Sequence, residues 1–303
     1  MSRTAGSVFR SVEGERTVMR LYDEIIQRWP VPYRERVVPT RHGETFVLVS
    51  GPAVADGIAQ DAVGVTPAIP LILMHGSVSN ALSWMGDVEQ LTRSFTVYAV
   101  DQLGEPGRSA RNRPRLDGQA PVEWMRDVVD GLGLDRVALA GISLGAWFSL
   151  RYATAHPEKV RGLVLIAPTG VARPRMVRML AAVALSAFGR RGTRAGGKLM
   201  LGTGDLDEET MRVIGTISQN FHPRVEAPPL LSDQELRSLS MPVLVMGGAN
   251  DGLIDMPATA KRVRSLVPDV TIRMVAGRGH ALMGMAGEYG AFLKEKVGEE
   301  RGR

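Results

Sequence analysis

From Pro70 onward the chain alternates short, continuous apolar runs with helical stretches, and this alternation constrains the fold more than any other feature. The runs are Leu71–Met74, Thr96–Val100, Val137–Ala140, Gly162–Ala167, Val243–Gly247 and Val270–Val275. A strand that is apolar on both faces must be covered on both faces. Helices between successive strands supply that cover, so the pattern predicts an α/β fold built on a mostly parallel sheet. The intervening helices are expected to begin near Ser83, Pro121, Leu144 and Met256. Between Ala167 and Pro242 the alternation lapses into about 70 residues of helical and Gly/Pro-rich sequence, too long for a simple connection, which predicts a helical cap inserted above the sheet.

Upstream, Val18 to Trp29 carries Met19, Leu21, Tyr22, Ile25 and Ile26 at mixed three and four spacing, an amphipathic helix stopped by Pro30 and Pro32. Arg34–Pro39 and Thr45–Ser50 flank His42-Gly43 and read as a hairpin, and Gly51–Pro70 reads as an exposed loop. The expected organisation is therefore a helical extension over 1–32 packing on the core, a core over 33–167 and 242–303, and a cap over 168–241.

With 303 residues, 44% hydrophobic and 23% charged, the chain suits one large globular domain with an insertion. It has no cysteine, which excludes disulfides, thiolate catalysis and cysteine metal sites. The stretch Met1–Arg20 lacks the apolar core of a secretory signal, and a cytoplasmic location is expected. The longest mid-chain apolar run, Met179–Phe188, is about half of what a bilayer span needs, so no transmembrane segment is expected. A net charge of +5 raises the question of nucleic acid, but the arginines are scattered and no zinc-finger, RNP or helix-turn-helix pattern accompanies them. One local imbalance stands out: nine basic and no acidic residues between Lys159 and Lys198, including Arg173, Arg175, Arg178, Arg190, Arg191 and Arg194.

Gly141-Ile-Ser-Leu-Gly145 sits between the apolar run ending at Ala140 and a helical stretch, the strand, turn and helix order of a nucleophile elbow. A serine hydroxyl needs a base, and the base needs an orienting acid, in the chain order Ser, Asp or Glu, His. Asp251 follows Val243–Met246 through Gly247-Gly-Ala-Asn250, and His280 follows Val270–Val275 through Ala276-Gly-Arg-Gly279. Ser143 would attack, His280 would shuttle the proton, and Asp251 would hold the imidazole, with Asp255 as the rival acid. Two backbone N–H groups should stabilise the oxyanion. One is Leu144; the other comes from His75-Gly-Ser-Val-Ser79, with Ser77 ahead of Val78. His75, at a strand terminus, reads as a residue that stabilises its loop rather than as a base.

Asp101-Gln-Leu-Gly-Glu-Pro-Gly-Arg-Ser109 reads as a turn shaping the pocket wall, with Asp101 and Arg108 paired locally and substrate contact open to Glu105 or Arg108. Candidates for the pocket lining are Val78, Trp84, Trp147, Met176, Leu180, Phe221 and Met283, each also a candidate for the core. No HExxH, GxGxxG or GxxxxGK[ST] pattern occurs, so neither a metal nor a nucleotide cofactor is expected.

Taken together, Leu73-Met-His-Gly76, Asp101–Gly104 with Gly107-Arg-Ser109, Gly141–Gly145, Gly248-Ala-Asn-Asp251 and Gly279-His280 resemble the α/β-hydrolase superfamily over about Pro70 to Ala286. The segment Tyr22 to Pro32, the Thr40-Arg-His-Gly43 turn and the Asp101–Gly107 loop resemble its bacterial carboxylesterase-like members. The resemblance implies an eight-stranded, mostly parallel sheet with an antiparallel second strand, a lid after the sixth strand, and a Ser/Asp/His triad. It also implies hydrolysis of a small-molecule carboxylic ester. Thioester, perhydrolase and C–C bond chemistry use the same triad, and a receptor-like ligand binder is the non-enzymatic alternative. The basic stretch would suit an acyl group on CoA or a carrier protein.

Overall fold

The computed structural model describes residues 7–52, 68–175 and 208–299, with a few positions between 181 and 199. Eight strands form one sheet: β1 Tyr33–Val38, β2 Thr45–Ser50, β3 Ile69–Met74, β4 Phe95–Val100, β5 Val137–Ile142, β6 Val160–Ile166, β7 Val243–Gly248 and β8 Val270–Val275. Their order across the sheet is β1-β2-β4-β3-β5-β6-β7-β8. β2 runs antiparallel to both β1 and β4, and every pairing from β4 to β8 is parallel.

The helices are α1 Val12–Ile26, α2 Met85–Leu91, α3 Ala120–Gly131, α4 Leu144–Ala155, α5 Glu208–Asn220, α6 Asp233–Arg237, α7 Met256–Leu266 and α8 Ala286–Glu299. The continuous apolar strands divide their residues between two cores. Ile72 and Met74, Leu139, Leu163 and Leu165 face Trp124 of α3 and Trp147 of α4. Leu71 and Leu73, Ala140, Val164 and Ile166 face Val88 of α2 and Tyr289 and Leu293 of α8. This two-residue period along strands buried on both sides is why the sequence shows runs rather than alternation. α4 is buried at every position from Leu144 to Leu150, so it has no polar stripe.

α1 begins at Val12, upstream of the expected Val18, because Ser11 caps it: its Oγ accepts the Gly14 N–H at 2.9 Å. The first turn is polar and carries no apolar period to read. Tyr22, Ile26 and Trp29 join the α2/α8 core. Val18 packs with Val8, Phe9, Ile217 and Phe221, tying the amino-terminal segment to α5. Two backbone bonds reinforce that contact, Arg10 N–H to Asn220 O and His222 N–H to Val8 O, both 2.8 Å. Of the expected 51–70 loop, Ile69 and Pro70 belong instead to β3, and residues 53–67 lie outside the described residues. Among the described residues no helix is long and apolar enough to cross a membrane.

Candidate active site

β5, β7 and β8 are parallel, so the residues that follow them emerge at one edge of the sheet. Ser143, between β5 and α4, has φ 53° and ψ −109°, a conformation that costs a non-glycine residue about 1–3 kcal/mol. The surroundings impose it. The Ser143 N–H donates to Ile166 O of β6 at 2.9 Å, and its carbonyl accepts from Trp147 N at 3.1 Å and Thr169 Oγ1 at 3.2 Å. The flanking glycines are steric requirements: a Cβ on Gly141 would lie 2.5 Å from Ala146 N, and one on Gly145 2.1 Å from Met74 O. Leu144 opens α4, where the first N–H groups lack intrahelical acceptors.

Asp251 and His280 meet. His280 Nδ1 lies 2.9 Å from Asp251 Oδ2, in a pair exposed only 8% and 1% respectively. The other carboxylate oxygen, Oδ1, accepts the Leu253 and Ile254 N–H groups, each at 2.8 Å, which fixes its orientation toward the imidazole. Asp255 is engaged elsewhere, capping α7 through a 3.1 Å bond from Ala258 N–H.

The loop after β3 is tied to the loop after β4. His75 Nδ1 is 2.7 Å from Gly76 O, and its Nε2 accepts the Gln102 N–H at 3.0 Å, which requires the neutral ring with its proton on Nδ1. Full burial pushes its pKa down to about 4. The Gln102 amide also donates to His75 O. Asp101 accepts from Ala81 N–H and Arg108 N–H, each at 2.7 Å. Asp101 and Arg108 are thus joined locally, the hydrogen bond running through the Arg108 backbone N–H. The Arg108 guanidinium reaches Asp23 and Glu35, both at 2.7 Å, and lies over the Tyr22 and Phe46 rings.

Glu105 is 1% exposed, and its Oε2 accepts the Val78 N–H at 2.7 Å, so it braces the neighbouring loop rather than reaching toward solvent. Burial raises its pKa to about 7. Sequence reasoning missed this tie, together with Gln102, Thr169 and Asn80, whose amide donates to Pro106 O at 2.9 Å. These contacts join loops distant in sequence, and no local spacing announces them.

Three of the proposed lining residues are core side chains. Trp84 is fully buried against Tyr289, Trp147 packs on Phe148 with its Nε1 donating to Pro229 O, and Phe221 stacks edge-on to Phe9. Large aromatic rings on elements sandwiched by other elements fill the interior. Val78 is half-buried and Met283 exposed, while Met176 and Leu180 lie outside the described residues. So do Arg178, Arg190, Arg191, Arg194 and Lys198 of the basic stretch; Lys159 pairs with Asp135, and Arg175 lies 3.8 Å from Asp255. Among the described residues no cluster of three or more His, Asp or Glu could hold a metal.

The model of the Alpha/beta hydrolase family matches residues 71–291. Carboxylesterase YbfK of Bacillus subtilis is 29% identical over 292 residues, covering 93% of each chain. The uncharacterized carboxylesterase nap of the same organism is 25% identical, over 91% of this chain and 89% of its own. The crystal structure of carboxylesterase CesB (YbfK) superposes with a TM-score of 0.77 at 27% identity, over 96% of this chain and 100% of that one.

Proposed function

The chain belongs to the alpha/beta hydrolase family, and from that premise we propose that it hydrolyses carboxylic esters through an acyl-enzyme on Ser143, with His280 as base and Asp251 as the residue that orients it. The observation that carries this reading is the buried Asp251–His280 pair, on the same sheet edge as a serine held in a strained turn. The Asp251 carboxylate accepts a hydrogen bond from Nδ1–H, which keeps that proton on Nδ1 and leaves the Nε2 lone pair free to receive one. As Ser143 Oγ bonds the ester carbonyl carbon, its proton passes to Nε2. The tetrahedral oxyanion collapses, the alkoxide leaves with that proton as an alcohol, and the acyl group stays on Ser143. Water then repeats the sequence, delivering its proton through His280 and releasing the acid.

The oxyanion would be met by the Leu144 and Ser77 N–H groups. Val78, the other candidate, already gives its N–H to Glu105. The relatives named carboxylesterases support an ester as substrate. Ser143→Ala is expected to abolish hydrolysis of p-nitrophenyl esters and labelling by a serine-directed fluorophosphonate while the protein stays folded. Retention of both activities would remove Ser143 from the mechanism. A series of these esters from acetate to palmitate then measures the acyl preference.

A further inference from the structure

The loop carrying Ser77 is gripped at three points by the loop after β4. At its start Gln102 holds His75, and at its end Asp101 holds Ala81 while Pro106 O holds Asn80. Glu105 grips the middle through Val78, and the backbone on either side of that carboxylate is itself fixed, with Glu105 N–H on Gln102 O at 3.2 Å and Gly107 N–H on Glu105 O at 2.8 Å.

What makes the middle contact more than a tether is the conformation it holds. Val78 has φ 58°, in the left-handed region, where a β-branched side chain crowds its own backbone. Left to itself a valine would leave that region, and the Ser77–Val78 peptide, which carries the Ser77 carbonyl and the Val78 N–H, would turn and take the Ser77 backbone with it. A carboxyl oxygen is a good acceptor, and a single short bond donated to it by the Val78 N–H can hold that strained N–H in place. The arrangement is costly. Glu105 is buried, its Oε1 has no hydrogen-bond partner among the described residues, and Arg113 and Arg224 supply the nearby compensating charge. An apolar side chain would avoid that cost if packing were the only requirement, but it could not accept the Val78 N–H.

We infer that Glu105 is a positioning residue for the oxyanion site: by accepting the Val78 N–H it fixes the Ser77–Val78 peptide and the left-handed Val78, and so anchors the Ser77 residue whose own N–H, one peptide upstream, faces the developing charge. This rests on the acyl-enzyme reading for its chemistry but not for its geometry. Glu105 itself does not touch the substrate.

The test compares Glu105→Ala, Glu105→Gln and the double variant Glu105→Ala/Val78→Gly, with kcat and KM for p-nitrophenyl acetate and amide hydrogen exchange over residues 75–80. Glu105→Ala is expected to lower kcat about 10- to 100-fold, the scale of a small misplacement at a reacting centre, with KM changed less than about threefold. Exchange at the Val78 amide should accelerate. Glu105→Gln keeps an acceptor oxygen and should retain most of kcat. Glycine at 78 adopts positive φ without strain, so the double variant should recover several-fold of the lost rate. An alanine variant with kcat within twofold of the parent overturns the inference, as does a double variant no better than Glu105→Ala. If Glu105→Ala does not fold, the double variant and Glu105→Gln carry the comparison, and unchanged Val78 exchange in both variants with a fallen kcat also overturns it. Ester turnover that survives Ser143→Ala would instead overturn the acyl-enzyme reading, and the exchange data would still report on the Glu105 grip.

Discussion

At position 105 a carboxyl group has been taken out of water and its pKa raised from 4.5 to about 7. A group that binds its proton more tightly when folded contributes stability that is complete below the unfolded pKa and disappears as pH rises through the folded one. The gap corresponds to about 3 kcal/mol lost on going from acid to mildly alkaline solution. Melting temperatures of the parent should therefore fall relative to those of Glu105→Gln between about pH 5 and pH 8. Parallel curves would mean that the carboxyl titrates as if in water. His75 has the opposite sign. Its pKa is lowered from 6.5 to about 4, so the stability that depends on the neutral ring is present above 6.5 and is lost as pH falls through 4. Asp251→Asn leaves an oxygen for the Leu253 and Ile254 N–H groups but cannot hold the imidazole tautomer. It should cost about ten-thousandfold in kcat with little change in melting temperature. Activity within tenfold of the parent would show that another acid serves His280.

Between elements, the close approach of β5, α4 and the end of β3 leaves no room for a Cβ at position 145. Gly145→Ala is expected to cost about 3 kcal/mol, read from chemical denaturation, because the obstructing atoms are backbone carbonyls that cannot rotate aside. Equal stability would mean that the strand and helix are less tightly apposed. This elbow was legible in the sequence because glycine, serine and glycine are local demands of one turn. The parallel strands β3 to β7 were legible for a similar reason, since burial on both faces leaves uninterrupted apolar runs, whereas β8 is only partly covered. The start of α1 was not, because a hydroxyl cap and a polar first turn carry no periodicity. The clamp between the loops after β3 and β4 was not either. Gln102, Glu105 and Asn80 have meaning only through partners that the fold brings beside them. The same limit applies to Trp84, Trp147 and Phe221, whose size fits a pocket wall and a core interior equally well until packing decides.

At the scale of the whole molecule, the amino-terminal segment is a brace rather than an appendage. Arg108, from the loop that grips the Ser77 turn, ion-pairs with Asp23 of α1 and Glu35 of β1 and covers the rings of Tyr22 and Phe46. Arg108→Ala should lower stability by about 1–2 kcal/mol in thermal melts, since these charges are partly screened by solvent while the ring contacts are not. A larger radial asymmetry lies in where the candidate groups are rooted. Ser143 springs from a central strand, but His280 follows β8, one of the two edge strands, with no fully buried residue along its length. All four tryptophans, at positions 29, 84, 124 and 147, lie within the interior. In rising urea the rim should therefore loosen while the indoles still report an intact protein, so that hydrolysis fails before intrinsic fluorescence shifts. Such an enzyme would lose its proton carrier by fraying, and would recover it on dilution without ever having unfolded.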